Sequence, residues 1–108
     1  MKKKNIIKES YEFTKIINLR KSKKNNYYSI YYINNEKKYN RYGITIPKKT
    51  GTAVVRNKIK RQIKNIIDNN ELSIQTSFDY VIIIKKNLLE LNYKEKEQEL
   101  ISLLNQIG

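Results

Sequence analysis

The sequence predicts a two-layer sandwich of the α/β (α+β) type, with its elements in the order α-β-β-α-β-α. Helical apolar periodicity recurs near 11–19, 53–68 and 93–106. Runs rich in aromatic and β-branched residues fill 27–33, 41–47 and 78–85. The strand–helix–strand stretch over 41–85 is long enough for a parallel βαβ crossover. A chain of 108 residues without internal repeats or a Pro/Gly/Ser linker reads as one domain, 1–108. A chain of this size buries roughly two-thirds of the surface its unfolded form exposes, enough for a core without staples.

Residues 1–9 read as a flexible basic arm. Ser10 is placed to cap the first helix, where Glu12 suits the positive end of the dipole and Phe13, Ile16 and Ile17 share a face. The polar run Arg20 to Asn26 reads as a loop, and its basic part, Arg20 to Lys24, as either a solvated turn or an additional polyanion contact. Tyr27 to Ile33 forms a strand with Tyr28 and Tyr32 on one face, expected in the core with their hydroxyls at its rim. After the turn Asn34 to Asn40, the strand Arg41 to Pro47 places Tyr42, Ile44 and Ile46 together, and Pro47 marks a strand end or an edge. Thr50-Gly51-Thr52 opens the long helix, and Asp68-Asn69-Asn70 closes it. Phe78 to Lys85 carries Val81 to Ile84, the pattern of a strand buried on both faces. The last helix groups Leu100, Ile101, Leu103, Leu104 and Ile107, with Glu95, Glu97 and Glu99 outward.

Composition closes several functional classes. The chain has neither Cys nor His, which removes thiol nucleophiles, thiolate metal sites, Ser-His-Asp triads and imidazole zinc sites. The net charge is +13, from 23 Lys and Arg against 10 Asp and Glu. Part of the lysine count reflects codon bias, since Lys, Asn, Ile and Tyr supply 60 of the 108 residues and all have A/T-rich codons. Bias does not sort charge along a chain. Residues 1–64 carry +16, and residues 65–108 carry −3. Such a distribution makes a polyanion the expected partner. The basic start is followed by no apolar stretch of signal-peptide or membrane-spanning length, so the reading is a cytoplasmic protein with no membrane partner.

The charge is organised on the long helix. At 100° per residue, Val55, Ile59, Ile63, Ile66 and Ile67 form a core-facing stripe. Arg56, Lys60 and Lys64 make an i, i+4 row beside it, and Asn57 with Arg61 makes the next. Like-charged neighbours at this spacing cost a helix about 0.2–0.5 kcal/mol per pair, yet 48–67 contains no acidic residue at all. A solvated lysine-rich face is the plain alternative. Against it stand two arginines, whose planar forks suit phosphate, and a helix N-terminus with free N–H groups.

Gly51-Thr52-Ala53-Val54-Val55-Arg56-Asn57-Lys58-Ile59-Lys60-Arg61 closely resembles the signature helix of the bacterial ribonuclease P protein component. Glu12-Phe13, Tyr42 to Lys49 and Asp79 to Ile84 resemble further motifs of that family, in the same order and spacing. The chain departs from it at Thr52, where Asn is frequent, at Lys58 and Lys64, where Arg is common, and at Pro47, where a small polar residue is usual. The resemblance implies a ribosomal-protein-like sandwich with a left-handed crossover through the signature helix. It implies a single RNA-binding domain that is a subunit of the tRNA-processing endonuclease, whose RNA subunit performs the hydrolysis with Mg2+. The implied partners are ribonuclease P RNA and precursor tRNA, with no DNA. The expected contacts to the catalytic RNA are Lys48, Lys49, Arg56, Asn57, Lys60, Arg61 and Lys64. The cleft expected for the single-stranded 5′ leader is lined by Phe13, Ile17 and Tyr31; by themselves Phe13 and Ile17 also suit an ordinary core. No protein residue is expected to be catalytic or to hold a metal.

Three rivals remain at this stage. A nonenzymatic RNA-binding protein of another assembly, such as the ribosome, shares charge, size and fold type. A carboxylate nuclease built on Asp68, Glu71 and Asp79 needs those acids to converge, which their spacing does not favour; Asp79 reads better as a local turn or cap acceptor. A DNA-binding helix module lacks the preceding helix and turn, because a strand stands there instead.

Overall fold

Successive side chains of a strand point to opposite faces, so each strand of the sheet contributes to two sides. The computed structural model describes residues 1–107. Its elements are α1 (Ser10–Asn18), β1 (Ser22–Lys24), β2 (Tyr28–Asn34), β3 (Arg41–Thr45), α2 (Ala53–Asn69), β4 (Phe78–Ile84) and α3 (Tyr93–Leu104). The sheet order is β1-β2-β4-β3. β4 pairs antiparallel with β2 and parallel with β3, so the β3–α2–β4 crossover is present as expected.

Two apolar clusters sandwich the sheet. Tyr28, Ile30, Tyr80, Ile82 and Ile84 point to one side, where Ile59, Ile63, Ile66 and Ile67 of α2 and Leu100, Leu103 and Leu104 of α3 cover them. Val81 points to the other, with Ile7 and Ile16. α1 and the N-terminal segment pack there, so the expected sheet-and-helix pair gains a partial third layer. β4 is buried on both faces, as its apolar run predicts.

Local chemistry explains most boundaries. Thr52 caps α2 by accepting a hydrogen bond from the Val55 amide at 3.3 Å. Asn92 and Glu95 cap α3 reciprocally, at 2.8 and 3.0 Å. Ser10 does not cap α1; Glu9 holds that position without a side-chain bond, and Ser10 is the first helical residue. Pro47 lies just beyond β3, which is an edge strand, and precedes a short 3-10 turn, Lys48–Thr50.

Three further expectations are corrected. Residues 20–26 are not wholly loop, since Ser22–Lys24 pairs with β2. Short, lysine-rich strands are typical of sheet edges, where pairing rather than propensity sets the conformation. The N-terminal segment is not a loose arm. Ile7 is buried and its amide donates to the Tyr42 carbonyl at 2.9 Å, because an apolar residue here completes the cluster under α1. Tyr28 is wholly buried, and its hydroxyl donates to the Lys96 carbonyl at 2.9 Å rather than reaching the rim.

Candidate nucleic-acid interface

Burial of one stripe of α2 decides what its other side presents. With Ile59, Ile63, Ile66 and Ile67 in the core, Asn57, Lys60 and Arg61 are exposed and Arg56 and Lys64 half-buried. Lys48 and Lys49 stand exposed on the turn before the helix. Arg56 Nε donates to the Gly51 carbonyl at 3.2 Å, which fixes the guanidinium near the helix start. The Ala53 and Val54 amides have no hydrogen-bond partner among the described residues, so the helix also offers free donors there.

Among the described residues, none of these cations has a carboxylate partner. Among the described residues, the ion pairs involve Arg41 and the Met1 ammonium alone. A helix face with several cations and no carboxylate within reach stores repulsion that an anionic partner relieves. The face is therefore suited to a phosphate backbone.

The opposite side of the sheet gathers the second predicted set. Phe13, Ile17 and Tyr31 pack in one cluster with Val81 and Ile83, all three half-buried rather than enclosed. The tip of the Phe13 ring reaches β3 because Gly43 has no side chain; a Cβ there would sit 2.5 Å from Phe13 Cζ. Lys24 Nζ stands 5.6 Å from the centre of the Tyr31 ring, a cation–π contact at the far edge of the cluster.

A tether that sequence reasoning missed holds α1 over this surface. Arg41 donates to Asp79 through Nε and Nη2, at 3.0 and 2.6 Å, and to Glu12 Oε2 at 2.6 Å. Asn35 Nδ2 donates to Asp79 as well, at 2.9 Å. Asp79 is thus the acceptor of long-range contacts, not a local turn or cap. The parallel register sets Arg41 directly beside Asp79. The available signal was an arginine, one of four in the chain, starting a strand otherwise apolar or small.

The carboxylates of the nuclease rival do not converge. Asp79 is held by Arg41, and Asp68 accepts from the Met1 ammonium at 2.8 Å. Among the described residues, no group of three or more acidic side chains is placed to share an ion.

Fold and site together define a small polyanion-binding α/β protein, with a cationic helix on one side of a sheet whose other side is only partly covered. Residues 1–108 match the family model described as Ribonuclease P. The Ribonuclease P protein component of Mycoplasma capricolum subsp. capricolum is 46% identical over 108 residues, covering 99% of each chain. That of Streptococcus agalactiae serotype III is 39% identical, covering 100% of this chain and 98% of its own. The solved ribonuclease P protein of Thermotoga maritima superposes with a TM-score of 0.89 at 31% identity, over 94% of this chain and 96% of that one. The chain belongs to the ribonuclease P protein family. Its relatives decide between the two RNA-binding readings, against a ribosomal protein.

Proposed function

We propose that this chain serves ribonuclease P by binding on two sides of its sheet, leaving hydrolysis to the RNA subunit. The α2 side, with Lys48, Lys49, Arg56, Asn57, Lys60, Arg61 and Lys64, meets the catalytic RNA. The α1 side, with Phe13, Ile17 and Tyr31, receives the single-stranded 5′ leader of precursor tRNA. Stacking of bases on aromatic rings contributes about 1–3 kcal/mol per base and tolerates any sequence, which suits a leader of varied composition. Mg2+ supplies its chemistry within the RNA subunit. The protein's part is to neutralise phosphates and position the substrate. The cytoplasm is the proposed site of action; among the described residues, no helix is long and apolar enough to cross a membrane.

The observation that carries this reading is the cationic side of α2, free of any acidic partner among the described residues, in a chain of this family. Reconstitution with the cognate RNA and a leader-bearing tRNA at low magnesium tests it. Addition of the protein is expected to restore cleavage. Arg61→Ala is expected to weaken assembly with the RNA subunit, and Phe13→Ala to weaken precursor tRNA relative to mature tRNA. Equal losses for precursor and mature tRNA in both variants would refute the two-sided assignment.

A further inference from the structure

A cavity of about 270 Å³ opens at the β3 edge, between the N-terminal segment and α2. Its apolar lining includes Ile7, Phe13 and Ile44, and Lys8, Lys60 and Lys64 stand around it. Lys8 comes from the N-terminal segment and Lys60 and Lys64 from α2, and none has a carboxylate partner among the described residues. The volume lies near the lower end of small-ligand sites, about 300–1,000 Å³. It has room for a single base and not for a duplex.

The strand edge adds a polar reading element. Ile7 N donates to the Tyr42 carbonyl at 2.9 Å, so the Tyr42 peptide groups point away from β4. In a strand this direction repeats every second residue, which turns the Ile44 N–H and C=O to the same side. Neither has a hydrogen-bond partner among the described residues. A donor and an acceptor on one residue match the adjacent acceptor and donor on the pairing edge of a base.

We propose that this cavity holds one unpaired nucleotide of an RNA strand crossing from the α2 side to the α1 side. Its phosphate lies among Lys8, Lys60 and Lys64, its base rests on Phe13 and Ile44, and its pairing edge meets the Ile44 peptide groups. The inference rests on the two-sided reading above and adds the link between the sides. The strand comes either from the precursor leader or from the catalytic RNA.

Lys8 separates this site from the helix interface, because it is exposed and lies outside both proposed surfaces. Lys8→Ala is expected to weaken binding of a short single-stranded RNA severalfold. It should also lower the salt dependence by about 0.7 in the log–log slope, one phosphate on a single strand. Duplex RNA of equal length should bind unchanged, and Lys8→Arg should restore the single-strand value. Photo-cross-linking of the unaltered protein, reconstituted with 4-thiouridine placed in the leader or in the catalytic RNA, should label the peptides containing Lys8 or Ile44. The arm that labels them identifies the source of the strand. Unchanged single-strand binding by Lys8→Ala, or absence of both labels, overturns the cavity assignment. In either case, continued weakening by Arg61→Ala would leave the two-sided reading standing, and loss of that effect would count against that reading separately.

Discussion

Gly43 and Phe13 form a matched pair, one residue defined by what it lacks and the other by the space this leaves. Gly43→Ala would force the Phe13 ring off the sheet, since the new Cβ would lie 2.5 Å from Cζ. Overpacking of this kind costs about 1–3 kcal/mol. The expected outcome is a lower urea midpoint together with poorer discrimination of precursor from mature tRNA. Arg61 is the opposite case, exposed and without an internal hydrogen-bond or ion-pair partner among the described residues. Arg61→Ala should leave stability within about 0.5 kcal/mol. Its effect should appear in RNA binding, as a weaker constant and a log–log salt slope reduced by about 0.9, which titration at several salt concentrations measures.

Among the elements, α1 depends most on its surroundings. It has nine residues, and isolated helices below about 12–15 residues are marginal in water. Ile16 seats it on the sheet, and the Arg41 bridge from Asp79 to Glu12 fixes its direction. Removing Arg41 leaves Asp79, only 5% exposed, with Asn35 as its remaining side-chain partner. Loss of one member of a buried pair costs about 3–5 kcal/mol. Arg41 and Glu12 are each about one-fifth exposed, so the lower end applies. Arg41→Met is therefore expected to lose about 3 kcal/mol in urea unfolding, and Arg41→Met with Asp79→Asn to recover part of it. Leader discrimination should fall with the tether, because Phe13 and Ile17 ride on α1.

The whole molecule carries its pH limits in its tyrosines. Burial pushes the Tyr42 hydroxyl up to about 12, partly opposed by the Asn40 amide that donates to it. Burial also raises Tyr28 and Tyr80 above the usual phenol value. An unfolded chain ionises these groups near pH 10, while the folded chain keeps them neutral. Stability is therefore complete below pH 10 and falls as pH rises from about 10 to 12 through Tyr42 and beyond. Lys96 acts in the other direction, since burial, with Lys58 nearby, lowers its pKa, and its cost to folding fades as it loses its proton. With three tyrosines against one lysine, unfolding is expected above pH 10, seen as tyrosinate absorbance rising together with loss of far-ultraviolet circular dichroism.

The sequence determined the order of the three helices and the three longer strands, the parallel crossover and the cationic rows of α2, because these depend on local periodicity and charge. The stripe from Val55 to Ile67 had to face a core, and the rows beside it were then obliged to face outward. β1 was hidden, since its Ser and Lys residues carry no strand preference and it exists through pairing with β2. The docking of Ile7 was hidden for a related reason, as a single apolar residue in a basic segment has no periodicity to read. Tertiary structure alone decided which side of the sheet each helix covers and set Arg41 beside Asp79 and Phe13 over Gly43. It also brought Lys8 to Lys60 and Lys64 around one cavity. Local preference acts over a few residues, whereas these contacts join positions far apart in the chain and arise only when strand register and helix packing are fixed together.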